Sequence, residues 1–184
     1  SGRGYQSLAG GNESQRRERY EAQASRLQDF LERYPDILGF ADGHSYLDLG
    51  CGTGQNIRML ADHFPHSRIV AYDINPDAIG LIREVETHPG VEVELGDLMD
   101  DVFRSGALSG GFDHIVLSHV FSLIFESTLA ATVAKRKRIL SDLVAACRRS
   151  LVIVDTFGAP GAPTIRVEQR QRATVTDDVL GYFA

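Results

Sequence analysis

Seven consecutive residues, Asp48-Leu49-Gly50-Cys51-Gly52-Thr53-Gly54, set an acid inside an apolar run and then place glycine at every second position. Glycine lacks a Cβ, so it permits a tight turn with positive φ and lets a ligand approach the backbone, while the helix that follows presents unpaired N–H groups. A small molecule is expected there. The spacing is not the dinucleotide pattern G-x-G-x-x-G, because the third glycine comes one position early and Gln55 stands where Gly or Ala is wanted. A phosphate-binding P-loop is excluded too, since Gln55-Asn56 follows Gly54 in place of Lys-Ser/Thr. About 20 residues further on, Asp73 lies in Val70-Ala71-Tyr72-Asp73-Ile74-Asn75, where a carboxylate can accept both hydroxyls of a ribose. His119, in Ser118-His119-Val120-Phe121, carries an imidazole, a side chain that can act as a base.

Such residues work only if a scaffold sets strand ends side by side, and the apolar pattern supplies one. Strands are expected at 46–49, 68–72, 91–95, 112–117 and 151–154, separated by helices at 55–63, 76–87 and 128–149. Asn75 can cap the second of these helices with Pro76 in its first turn. The strands are apolar on both faces, which predicts an α/β domain: a doubly wound, mostly parallel sheet with helices on both faces. Ligands of such sheets bind beyond the carboxyl ends of strands, where the strand order reverses. Gly50, Gly52 and Gly54 sit at such an end. Upstream, residues 13–34 place Tyr20, Ala24, Leu27, Phe30, Leu31 and Tyr34 at spacings of three and four, predicting one amphipathic helix stopped by Pro35. Residues 1–44 are thus an N-terminal arm and helix able to fold over the site as a lid, and residues 45–184 form the ligand-binding domain. Beyond Asp155 comes Gly158-Ala159-Pro160-Gly161-Ala162-Pro163, which breaks any helix, and then an exposed strand at 164–171 with 173–176 as its partner.

The acid-and-glycine segment resembles motif I of class I S-adenosylmethionine-dependent methyltransferases, and three further marks follow in that family's order. Asp73 ends the second strand, Gly96-Asp97-Leu98-Met99 closes the third, and Phe112-Asp113-His114-Ile115-Val116-Leu117-Ser118-His119-Val120 resembles the fourth-strand motif. The resemblance covers residues 45–155. It implies a Rossmann-like methyltransferase fold with S-adenosyl-L-methionine as cofactor, held by Asp48, Gly50, Cys51, Gly52, Gly54, Asp73, Ile74, Asp97, Leu98 and Ser118. In the family the acid matching Asp97 accepts from the adenine amino group, and the fourth-strand motif runs along the methionine end. Asp48 has a second reading, in which it holds the glycine loop through backbone N–H groups.

Methyl transfer from a sulfonium is an in-line displacement, so the site must bring the acceptor atom to about 3 Å and keep water out. A hydroxyl or protonated amine also needs a base, and His119 is the candidate catalytic residue, with lining of the pocket as its alternative role. Glu126, Asp155, Tyr5 and Tyr20 are weaker candidates. Ser118-His119-Val120-Phe121 is similar to the "SHVLEH" stretch of many small-molecule methyltransferases, with Ser122-Leu123 in place of the Glu-His. The stretch after Asp155 is short for the family, so the expectation is either a shortened C-terminal part or a full protein with residues beyond these.

Composition narrows the remaining classes. The 184 residues are 43% hydrophobic, enough for one domain with a substantial core. Lys and Arg number 19 against 25 Asp and Glu, a net charge of −6, which disfavours bulk binding of nucleic acid. The Asn/Asp-Pro-Pro-Tyr/Phe motif of exocyclic-amine methylation is missing after the fourth strand, and the basic run Lys135-Arg136-Lys137-Arg138 reads as a solvated helix face. The cysteines at 51 and 147 form neither a CxxC pair nor a disulfide framework, fitting a reducing cytoplasm, and no apolar run approaches 18 residues, so a membrane is not expected. Cys51 reads as a small loop residue, not a nucleophile. His63 and His66 lack a third ligand, and no metal is assigned.

The expectation is therefore a methyltransferase acting on an O or N atom of a small-molecule acceptor, with a homodimer an allowed state. The alternatives are a cofactor-binding or regulatory module without turnover, and an RNA or protein methyltransferase.

Overall fold

The computed structural model describes residues 11–22, 25–33, 35–97, 108, 110–155 and 164–169. Three helices open the chain: α1 at Glu13–Glu21, α2 at Arg26–Arg33 and α3 at Pro35–Leu38. The sheet and its crossovers follow, with β1 at Ser45–Leu49, α4 at Gln55–His63, β2 at Arg68–Asp73, α5 at Pro76–Val85 and β3 at Val91–Leu95. Then come β4 at Phe112–Ser118, a 3-10 turn at Phe121–Leu123, α6 at Leu129–Ala146, β5 at Cys147–Asp155 and β6 at Thr164–Gln169. The six strands lie in the order β3-β2-β1-β4-β5-β6. The first five are parallel and β6 runs antiparallel along β5. This is the doubly wound sheet that the strand pattern predicted.

Alternate residues of each strand feed two cores, because successive side chains point to opposite faces. One core joins Tyr46, Ile69, Ala71, Val116 and Val152 to Leu27 and Leu31 of α2, Ile57 and Leu60 of α4, and Ile79 and Ile82 of α5. The other joins Leu47, Leu49, Ile115, Leu117, Leu151 and Ile153 to Ile139, Leu140 and Leu143 of α6. Each fully buried Leu or Ile contributes about 1.5–3 kcal/mol relative to exposure. With helices packed on both faces of the central strands, the strand ends are where a ligand is expected.

Several boundaries differ from expectation, among them a helix expected to reach 87 that ends at Val85 and a strand expected at 151–154 that spans Cys147–Asp155. The single helix over 13–34 is two: α1 ends at the cap Ala22, and α2 begins after Ser25, whose hydroxyl accepts from the Leu27 N–H at 3.2 Å. A serine that can satisfy a free helix N–H favours a new start over continuation. Pro35 does not merely stop a helix but opens α3, since its missing N–H costs nothing in a first turn. The helix expected to reach residue 149 ends at Ala146, because Cys147 and Ser150 pair with Phe112 and His114 of β4. The strand expected at 164–171 is present as β6, but its partner is β5; the suggested pairing with 173–176 lies outside the described residues.

Candidate functional site

The connections diverge at β1. The chain leaves β1 for β2 on one side and returns through β4 on the other, which opens a crevice at the carboxyl ends of these two strands. Gly50, Gly52 and Gly54 all lie there with left-handed φ of +75°, +54° and +81°. The Gly50 and Cys51 N–H groups donate to the Tyr72 carbonyl at 2.8 and 3.0 Å, tying the loop to the end of β2. A Cβ on Gly50 would collide with the Val120 side chain, and one on Gly54 would meet the Tyr20 ring at 2.7 Å. Around Gly52, by contrast, nothing lies within 4 Å of that position. The loop is closed at its two ends and open in its middle.

Asp73 braces the loop from the next strand. One of its carboxylate oxygens accepts from the Gly52 N–H at 2.7 Å and the other from the Asn75 N–H at 2.8 Å. A carboxylate has about four lone-pair sites, so two bonds to backbone leave capacity for a ligand. Beside it, Ile74 is 67% exposed, a large apolar side chain with no core to cover it. At the end of β3 the Gly96 N–H donates to the Asp73 carbonyl at 3.0 Å, which brings half-buried Asp97 to the same edge. Leu98 lies outside the described residues.

Asp48 does not hold the loop, contrary to its second reading; Asp73 does. The β1 register turns Asp48 inward against α4, where its Oδ1 accepts from the Asn56 amide at 3.3 Å. It is fully buried and its Oδ2 has no partner. Burial pushes its carboxyl up to about 7, opposed by the Asn56 hydrogen bond and reinforced by the charge of Asp73. The Asn56 amide also donates to the Ser118 hydroxyl at 3.0 Å, and its carbonyl accepts from the Ser25 hydroxyl at 2.8 Å. Asn56, Ser25 and Val120 were not singled out from the sequence. The signal for Asn56 was a polar residue on the apolar face of α4, one turn before Leu60.

His119 follows β4 directly, is exposed, and adopts φ +57°, the one non-glycine among the described residues in that region. Its N–H donates to the Val154 carbonyl at 2.6 Å, which holds the backbone in place. Histidine visits this conformation more readily than most residues, yet the strain remains of order 1 kcal/mol or more. The weaker candidates are engaged in structural contacts. Buried Asp155 accepts from the Ser122 N–H and hydroxyl at 2.6 and 2.7 Å, and Glu126 pairs with Lys135 at 2.7 Å. The Tyr20 hydroxyl donates to Glu86 at 2.8 Å, and burial raises its pKa far above the ordinary range. Tyr5 lies outside the described residues.

The remaining polar features are accounted for by local contacts. Burial, reinforced by Asp48 and Asp73, raises the Cys51 thiol well above its usual range, the reverse of a nucleophile. His63 bonds the Met59 carbonyl and His66 pairs with Asp42 at 2.5 Å; among the described residues no cluster of three or more metal-ligating side chains occurs. Within the basic run, Lys135 is paired with Glu126, and Arg136 donates to the Ile124 and Ser122 carbonyls and lies over Phe121 and Phe125. Two of its four cations are thus held by the protein's own groups. No described helix is long and apolar enough to cross a membrane.

Comparison with known proteins adds the following. A family model described as a methyltransferase domain matches residues 47–148. A malonyl-[acyl-carrier protein] O-methyltransferase of Geobacter sulfurreducens is 30% identical over 126 residues, covering 67% of this chain and 45% of the relative. A trans-aconitate 2-methyltransferase of Streptomyces coelicolor is 39% identical over 61 residues, 33% of this chain and 20% of the relative. Among solved structures, an amino pentose methyltransferase from Micromonospora echinaspora with bound S-adenosylmethionine superposes with a TM-score of 0.54 at 22% identity, covering 80% of this chain and 57% of that one. At that identity the likeness is one of fold. The chain spans less than half the length of the curated relatives it matches.

Proposed function

The chain belongs to the class I S-adenosylmethionine-dependent methyltransferase family, and from that membership we propose that it transfers a methyl group to an oxygen or nitrogen of a small molecule. The observation that carries the reading is the left-handed glycine loop, open at Gly52 and braced by Asp73, at the point where the strand order reverses.

The residues present fit the cofactor. Gly52 leaves room for a ligand against the backbone, Asp73 keeps lone pairs for ribose hydroxyls, and exposed Ile74 offers an apolar surface to a base. Asp97 stands at the neighbouring strand end for a base amino group. Ser118, half-buried, stands at the β4 end for the amino-acid portion; Asp48 is fully buried and supports that end only through Asn56. When bound, the cofactor supplies an electrophilic methyl group on a sulfonium.

The chain's own task is then placement and proton handling. His119 follows β4 directly, is exposed, and has its N–H bonded to the Val154 carbonyl, which supports its imidazole as the candidate base. With a hydroxyl acceptor, one ring nitrogen takes the proton as the oxygen attacks in line; a protonated amine gives its proton to that nitrogen first, and the freed lone pair then attacks. A carboxylate acceptor needs no such step, and His119 then only positions it. The two curated relatives act, by their names, on a carrier-bound malonyl group and on trans-aconitate, both of which carry carboxylates. Carboxylates therefore belong among the acceptors tried.

The buried thiols of Cys51 and Cys147, neither of them in a disulfide, support a reducing, cytoplasmic setting. The internal pairing of Lys135 and Arg136 favours a small acceptor over RNA. Isothermal calorimetry with S-adenosylmethionine, followed by turnover on a panel of amine, hydroxyl and carboxylate acceptors, tests the proposal. Micromolar binding with turnover is the expected result. Binding without turnover on any acceptor supports a regulatory module, and absence of binding refutes the reading.

A further inference from the structure

We infer that Asn56 is the positioning residue of this site: clamped by Ser25 from the N-terminal segment, its amide sets the Ser118 hydroxyl as a donor toward the crevice and fixes Asp48 beneath it. The inference rests on the proposed cofactor binding.

Three of the four hydrogen-bonding sites of the Asn56 amide are occupied by residues from three other parts of the chain. Their pattern assigns its orientation. Ser25 Oγ already accepts from the Leu27 N–H, so its proton is free to go to Asn56 Oδ1 at 2.8 Å. The two amide protons then serve Asp48 Oδ1 and Ser118 Oγ. A flipped amide would set two carbonyl-type oxygens against each other at Asp48 and leave the Ser25 proton facing an N–H. Because Ser118 Oγ accepts from Asn56, its own proton points elsewhere, and half-buried Ser118 at the end of β4 has the crevice before it. With one lone pair engaged by Asn56, the Ser118 proton is left for an acceptor in the crevice.

An apolar side chain at position 56 would pack beside Ile57 and Leu60 without this requirement for partners. The buried polar network is a specificity device: it links the entry of α2 to the floor of the site, so that docking of the N-terminal helices and alignment of Ser118 occur together.

The test is a double-mutant cycle read by calorimetry with S-adenosylhomocysteine, alongside thermal melting. Asn56→Ala and Ser118→Ala are each expected to weaken affinity about tenfold, and the double variant to lose no more than the larger single. Additive loss, near a hundredfold, or no loss in Asn56→Ala overturns the inference. If Asn56→Ala does not fold, Ser25→Ala carries the test, since it changes no residue at the crevice. It is expected to weaken affinity severalfold in the natural background and not at all in Ser118→Ala, and equal effects in both backgrounds overturn the inference. Failure of the unaltered protein to bind S-adenosylhomocysteine would instead sink the proposed function itself.

Discussion

The Asp73 carboxylate accepts from the Gly52 N–H at 2.7 Å, so the acid that ends β2 also shapes the loop that ends β1. Removing it takes away a ligand contact and a loop brace at once. Asp73→Ala is expected to weaken S-adenosylhomocysteine binding by about 1.5–3 kcal/mol, roughly tenfold to a hundredfold, the usual worth of a hydrogen bond to a charged group. Calorimetry reads the affinity. A lower melting temperature should accompany the loss, because the Gly52 and Asn75 N–H groups lose their acceptor.

Gly50 and Gly52 share a left-handed backbone but differ in surroundings. Gly52→Ala should cost only the conformational strain, about 1–2 kcal/mol. Gly50→Ala adds the collision with Val120 and should cost about 1–3 kcal/mol more. Chemical denaturation of both variants checks the ranking, and Val120→Ala should recover part of the Gly50→Ala loss.

His119 combines an exposed imidazole with a strained backbone. His119→Gly relieves the strain, so stability is expected to hold or rise slightly. Turnover of a hydroxyl or amine acceptor should fall by about 10²–10⁴ if the imidazole is the base. A carboxylate acceptor should be affected far less. Equal loss on all acceptors would assign His119 to positioning alone.

Burial raises the Asp48 carboxyl from 3.8 to about 7, so folding favours its neutral form. That contribution is fully present below pH 3.8 and lost as pH rises through 7. Asp48→Asn should therefore melt higher than the natural protein at pH 8, by an amount on the order of a few kcal/mol at most, with the difference shrinking toward pH 4.

His114 has the opposite sense. Ser150 Oγ donates to the Leu38 carbonyl at 2.9 Å, so it accepts from His114 Nδ1–H at 2.7 Å, and His114 Nε2 accepts from His44 at 2.9 Å. The buried ring is held neutral, its pKa lowered from 6.5 to about 3 chiefly by burial and then by His44. Stability from this group is present above pH 6.5 and lost as pH falls through 3. Melting between pH 6.5 and 4 should show that decline, and His114→Gln should flatten it.

The alternating fold, the glycine loop and the acid at 73 were all legible from the chain alone. Each is written in local patterns: strand and helix periods, a residue spacing that only a turn explains, and an acid at the end of an apolar run. Helix ends were less legible. The break before Ser25 and the early end of α6 depend on a cap and on strand pairing with β4, which compete with helical periodicity and win by satisfying backbone groups.

Only the tertiary structure decided what the buried polar groups do. Asp48 turned from loop brace to buried, half-satisfied acid, and Asp73 took the brace, because the strand register sets which face each acid occupies. Asn56 meets Ser25, Asp48 and Ser118 only when α2, α4, β1 and β4 are packed together. A chain announces its periods residue by residue, but a contact between distant side chains exists only after packing has chosen the faces that meet.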